Sequence, residues 1–235
     1  MSKQIKSKAL ASSLLCALLV SVAGSASAVG IKQSKHDLSV TGQNTAASGL
    51  RSSDQNEICV FCHTPHNAIK NTHIPLWNHN LSAVATYTLY TSDTMNATIT
   101  QMGGVTEAGA TVTNLCLSCH DGTVALNSLN RPSKERPTTT FSGTGLMTGT
   151  ANLGTDLSKS HPVNFNYTAS DPFTTGSGGG LVSGAGSAKL FANTVQCASC
   201  HDVHTSAEVD GSNRPIAFLR VSMSGSTLCF QCHDK

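Results

Sequence analysis

Charged residues make up only 12% of this 235-residue chain and aromatic residues only 5%, and no long apolar run occurs after residue 28. Each scarcity excludes something. Without a clustered basic face, nucleic-acid binding is not expected. Without about 20 consecutive apolar residues, no later segment qualifies as a membrane-spanning helix. With so few aromatic and apolar side chains, an ordinary side-chain core is too small to offset the entropy of ordering the chain. Cysteine and histidine are not scarce: nine and ten are present.

The N-terminus reads as an export signal. Lys3, Lys6 and Lys8 precede an apolar stretch over residues 9–23, and Ala26-Ser27-Ala28 supplies a small-residue cleavage site. The mature chain is expected to begin at Val29. Cys16 lies in the middle of the apolar stretch, whereas a lipid anchor would need it at the end, so it belongs to the discarded signal. Removing residues 1–28 leaves 207 residues with 12 Lys plus Arg and 13 Asp plus Glu, a formal charge of minus one. The expected location is beyond the inner membrane.

The other eight cysteines fall into four copies of one pattern. Cys59, Cys62 and His63 are repeated as Cys116, Cys119 and His120, as Cys197, Cys200 and His201, and as Cys229, Cys232 and His233. Two cysteines two residues apart, followed at once by histidine, form a c-type haem attachment pattern. The thiols add across the porphyrin vinyl groups, and the adjoining imidazole becomes the proximal iron ligand. Paired CxxC knuckles can also build a zinc site, and eight cysteines in an exported chain can form disulfides. Neither alternative accounts for a histidine after every pair. Four covalently attached haems follow, and they are expected to be the hydrophobic core. The fold class is accordingly a multihaem cytochrome c of low regular secondary structure, with short helices at the haem motifs and long loops wrapped around a haem chain.

The chain repeats itself. One half reads His36, then Cys59 to His63 with His66, then Leu115-Cys116 to His120-Asp121. The other reads His161, then Cys197 to His201 with His204, then Leu228-Cys229 to His233-Asp234. This divides the mature chain into a two-haem module at 29–130, a Gly/Ser/Thr-rich connector at 131–160 and a second two-haem module at 161–235. Residues 114–129 read as a helix interrupted at Asp121-Gly122, residues 83–100 as an irregular strand, Met102-Gly103-Gly104 as a turn and Asn193-Thr194 as a helix start.

Six histidines remain once the four proximal ones are set aside. The duplication selects His36, His66, His161 and His204 as distal ligands; His79, close to Pro75-Leu76-Trp77-Asn78, is an alternative, and His73 is a surface residue. A histidine three residues past the proximal one lies on that ligand's side of the porphyrin, so it should serve a neighbouring haem. On spacing alone His66 is paired with the second motif, His204 with the fourth, and His36 and His161 with the first and third.

The segments KHDLS, CVFCHTPHNA, PLWN, LCLSCHDG, DLSKSHPV and CASCHDVH resemble those of exported multihaem cytochromes of metal-reducing bacteria with doubled CxxCH motifs. Within that group the chain is most similar to the tetrahaem, filament-forming OmcE type. The resemblance implies a row of bis-histidine haems continuing between subunits, with redox partner cytochromes, metal oxides or electrodes as electron acceptors. It also implies that a distal histidine can cross a subunit boundary, with His36 as the candidate. Electron transfer is the expected function, since two imidazoles leave no open iron position and tend to lower the potential relative to a Met/His site. The expected product is an extracellular conductive filament. A monomeric periplasmic tetrahaem shuttle is the alternative, and a multihaem oxidoreductase, which needs a five-coordinate iron, is the third. No enzymatic activity is expected.

Overall fold

The computed structural model describes residues 30–44, 50–71, 74, 76–134, 138–167, 187–211 and 215–233. The proposed signal, His73 and Asp234 lie outside them. Regular structure is sparse among the described residues. Helix α1 spans Val112–His120 and α2 spans Cys197–Cys200, while a two-residue antiparallel pair joins β1 (Phe165–Asn166) to β2 (Thr194–Val195). Single 3-10 turns cover Cys59–Phe61, Glu107–Gly109, Gly149–Ala151, Ser224–Ser226 and Cys229–Gln231. No helix among the described residues is long and apolar enough to cross a membrane.

Helix α1 begins and ends where its side chains dictate. Asn114 Oδ1 accepts from the Thr111 backbone N–H at 2.8 Å and from its hydroxyl at 3.0 Å, fixing the first turn. At the other end the Asp121 N–H bonds to the Leu117 carbonyl at 3.1 Å, and Gly122 turns the chain away at φ +72°. That left-handed φ favours glycine, and a side chain there would also force the Asn152 side chain to move. The interruption read at Asp121-Gly122 is thus the helix end.

The segment 83–100 is not a strand. Only Thr88 forms a bridge, to Asp156; the rest of the segment is held by isolated backbone bonds, such as Gly104 N to Val84 O at 2.8 Å and Thr100 N to Asn164 O at 2.9 Å, and by side chains such as Gln101, whose Oε1 accepts from Tyr87 N at 2.9 Å. Asn193-Thr194 likewise leads into β2 before α2 begins at Cys197.

Two apolar clusters are present. Leu38, Val60, Phe61, Leu126, Phe141 and Met147 form one, packed against Cys62 and Cys119; Tyr87, Met102, Leu117 and Leu157 form the other. Residues 131–160 therefore do more than connect. Phe141, Met147 and Leu157 are buried, and Leu153 N bonds to the His120 carbonyl at 2.7 Å.

The internal repeat is visible in the backbone. After His63, Thr64 N bonds to Leu76 O at 2.9 Å and Asn78 N to Cys62 O at 2.9 Å; after His201, Asp202 N bonds to Phe218 O at 2.7 Å and Arg220 N to Cys200 O at 2.8 Å. The side chains follow suit: Asn78 Nδ2 donates to Val60 O at 2.6 Å and Arg220 Nε to Ala198 O at 2.7 Å. Both carbonyls belong to the residue after the first cysteine of the motif.

Candidate haem sites

All four motifs present their cysteines on a single turn. In the first and fourth, the histidine N–H bonds to the first cysteine's carbonyl, at 2.8 Å for His63 and 2.9 Å for His233. The third does the same through His201 at 3.1 Å. The eight cysteines among the described residues are free thiols. No group of three or more His, Cys, Asp or Glu side chains converges as a metal site among the described residues.

The histidines are aimed by backbone carbonyls. His120 Nδ1 contacts Ala151 O at 2.7 Å, His201 Nδ1 contacts Ala217 O at 2.6 Å and His161 Nδ1 contacts Pro162 O at 2.9 Å. An imidazole that donates through Nδ1 keeps its lone pair on Nε2, the state needed for ligating a metal. His204 is oriented by Asp202, whose Oδ1 accepts from His204 N at 3.0 Å while Oδ2 pairs with Arg220 at 2.9 Å. His36 is presented by the KHDLS loop. There the buried Asp37 carboxylate accepts from Gln33 N at 2.8 Å, Ser39 N at 3.1 Å and Ser39 Oγ at 2.6 Å, so the loop closes on itself around one acceptor.

These side chains meet in pairs. The ring centroids of His36 and His120 are 5.9 Å apart, those of His63 and His204 6.1 Å, and those of His161 and His233 6.3 Å. In each case a histidine from outside a motif faces the proximal histidine of a motif.

Residues 190–235 match the family model described as the doubled CXXCH motif. A search of curated proteins yields no match. The doubled motif points to covalently bound c-type haem, and to electron transfer rather than catalysis. The first and second motifs of this chain share the internal CxxCH spacing of the matched third and fourth, though a longer stretch of chain separates them.

The residues fit that group. An imidazole nitrogen stands about 2 Å from a bound metal, so two imidazoles on opposite faces of one iron would hold their centroids roughly 6 Å apart, which is the separation of all three pairs. His36 Nδ1 is buried without a hydrogen-bond partner. Burial, with His120, His201 and His204 nearby, pushes His36 down to about 4, so it is a neutral imidazole. A cavity of about 300 Å³ has His161, Cys197, Cys200 and His201 on its wall, with Leu89, Leu117 and Leu157 among its apolar lining.

The sulfurs also approach one another from motif to motif. Burial, reinforced by Cys62, pushes Cys119 up to about 12; burial, reinforced by Cys200, pushes Cys232 up to about 11. Cys116 and Cys197 sit within hydrogen-bonding reach, which holds the Cys116 thiol well above its usual range and Cys197 below. First meets second, second meets third, and third meets fourth.

The pairing differs from the one that spacing suggested. By ring contact His36 faces the second motif rather than the first and His204 the first rather than the fourth, while His161 faces His233 of the fourth and also shares a cavity wall with Cys197, Cys200 and His201 of the third. The rule that a CxxCHxxH histidine turns away from its own motif holds for His204; which neighbour it reaches depends on tertiary packing that spacing does not carry. His36, the candidate for crossing to another subunit, lies beside His120 of its own chain. His66 is exposed. His79 is buried with Nδ1 2.9 Å from Asn80 O and Nε2 3.0 Å from Ala125 O and 3.6 Å from Cys119 Sγ, so its ring is held between two backbone carbonyls beside the second motif.

Proposed function

We propose that this chain is a tetrahaem c-type cytochrome that carries electrons along a row of bis-histidine haems, as the exported subunit of an extracellular conductive filament. The three histidine pairs at 5.9 to 6.3 Å carry the reading, since each sets a second imidazole opposite a proximal one. In this reading His63 and His204 hold the first iron, His120 and His36 the second, and His233 and His161 the fourth. By the symmetry that sets His204 beside His63, His66 is the histidine left for His201. Its exposure suits a ligand donated across a subunit boundary.

When bound, haem iron supplies one-electron chemistry, and the protein sets its potential through axial ligands, burial and hydrogen bonds. The chain's own contribution is orientation. Ala151, Pro162 and Ala217 carbonyls fix the imidazoles of His120, His161 and His201; Asp202 fixes His204; the Asp37 loop fixes His36. The thiols influence one another in succession, Cys62 on Cys119, Cys197 on Cys116, Cys229 on Cys200 and Cys200 on Cys232, which supports a continuous row in chain order.

Mass spectrometry of the purified holoprotein is expected to show the mature polypeptide plus four haems, and electron micrographs of secreted material to show filaments. A mass equal to the bare polypeptide would sink the haem reading. Discrete particles under all conditions, with the protein retained in the periplasm, would replace the filament with a soluble shuttle.

A further inference from the structure

The place where the two halves of the chain meet is built from buried polar groups. Gln196, directly before α2, has all four of its side-chain hydrogen-bonding positions occupied. Its Oε1 accepts from the Thr113 hydroxyl at 2.6 Å and the Thr113 N–H at 3.2 Å, and its Nε2 donates to Asn164 Oδ1 at 2.9 Å and Thr194 Oγ1 at 2.7 Å. The return contact comes from Cys197 N, which donates to Thr113 Oγ1 at 3.3 Å. Thr113 and Gln196 are both fully buried. Gln196 thus satisfies a free N–H in the first turn of α1 from 83 residues away.

A hydrogen-bonded lock of this kind fixes direction and register in a way that apolar packing does not, because its members must meet in one geometry to be satisfied. Its two arms carry attachment cysteines. Cys116 lies one turn beyond Thr113 on α1, and Cys197 lies next to Gln196 with its N–H bonded to Thr113 Oγ1 at 3.3 Å.

We infer that Thr113 and Gln196 are positioning residues that hold the second and third attachment motifs in register, so that the hydrogen-bonded contact of α1 with the start of α2 is the junction between the two modules. The inference rests on the electron-transfer reading above. Both residues line the wall of the cavity that carries Cys197, Cys200 and His201. They act through the helices that bear the cysteines, and the junction they set governs the crossing from the second motif to the third.

The test uses the full secreted holoprotein, with Thr113→Val removing the hydroxyl at nearly constant volume and Gln196→Met removing the amide at nearly constant length. Thr113→Ser is the rescue variant. Tyr87→Phe, which removes a buried bond of 2.6 Å to Asp121 away from the junction, is the control. Haem content and low-spin absorption are expected to match wild type. The bisignate Soret circular dichroism from closely spaced haems should change shape in Thr113→Val and Gln196→Met. Flash-injected electrons, which equilibrate in one phase in wild type, should equilibrate in two, the slower one several-fold delayed and shared by half of the haems. Thr113→Ser should restore both signals and Tyr87→Phe should leave both unchanged. Wild-type dichroism and single-phase equilibration in Thr113→Val and Gln196→Met would overturn the inference, as would an equal change in Tyr87→Phe. A wild-type protein without haem, or without electron exchange between haems, would instead overturn the reading on which it rests.

Discussion

Residues 115–120 and 228–233 carry one pattern and fold in two ways. The first lies in a nine-residue helix that buries Thr113, Asn114, Leu117 and Ser118; the second is a three-residue 3-10 turn, Cys229–Gln231, that buries none of its side chains. The difference lies in the flanks. Thr111 and Asn114 secure the start of α1, Met102 O accepts from Asn114 Nδ2 at 2.7 Å, and Gln196 reaches in from the other half. Ahead of Cys229 stand Ser224, Gly225 and Ser226, with Gly225 and Ser226 both at φ +59°. An attachment motif therefore does not specify its own helix. The contrast extends to the modules: both apolar clusters draw on residues 38 to 163, whereas His161, His201, His204 and His233 are all exposed. The second half is thus expected to depend more heavily on its cofactors for order.

The largest expected effect tests that contrast directly. Replacing Cys116 and Cys119 by serine removes the attachment at the centre of the molecule, beside the cluster that packs on Cys119, and is expected to abolish accumulation of folded protein. The same exchange at Cys229 and Cys232 is expected to yield a stable protein lacking one haem, with protease cleavage confined to the last residues. Holoprotein mass and limited proteolysis read both outcomes. Equal loss from the two exchanges would show that the modules are equivalent after all.

Axial pairing comes next in size. His36→Ala is expected to leave one iron without its sixth ligand, turning about a quarter of the haem high-spin and reactive to carbon monoxide. His204→Ala should do the same at a different iron, so the double variant should convert about half. Absorption and electron paramagnetic resonance spectra measure the fractions. A double variant no more high-spin than either single one would mean that the two histidines serve the same iron. His79→Gln should leave every iron low-spin, because the ring of His79 is held by Asn80 and Ala125.

Much of this was legible in the sequence, and the limit has a physical cause. The four CxxCH motifs, the repeat, the end of α1 and the poverty of regular structure follow from local spacing and composition. The choice of His36, His161 and His204 as the histidines that meet proximal partners also followed, because the repeat gave each a counterpart. Their partners did not. His204 meets a histidine 141 positions earlier, and His36 one 84 positions later, and such contacts depend on how α1 docks on α2. Gln196 was missed altogether. Its only sequence signal was a polar residue directly before an attachment cysteine, which ordinarily reads as a solvent-exposed helix start. The segment 83–100 alternated like a strand because Tyr87 and Leu89 point into the second cluster, yet its backbone bonds go mainly to side chains and loops.

The smallest effects compare two equivalent positions. Asn78 and Arg220 each reach back to the carbonyl after the first cysteine of their motif, but in different surroundings. Asn78 is fully buried, donates to Val60 O and to Arg131 O at 2.7 Å, and accepts from Arg131 N at 2.7 Å. Asn78→Ala strands those groups in the interior and is expected to cost about 3 kcal/mol, seen as a lowered unfolding midpoint with haem content unchanged. Arg220 is partly exposed, and its pair with Asp202 is screened by water, so Arg220→Ala should cost only about 1 kcal/mol. Its signature lies elsewhere. Asp202 also orients His204, so Arg220→Ala is expected to perturb the first iron's low-spin spectrum, across the module boundary, while Asn78→Ala leaves the third iron's spectrum untouched. Equal destabilisation by the two variants, with no spectral change in Arg220→Ala, would show that the second half is as self-sufficient as the first and that His204 does not serve the opposite module.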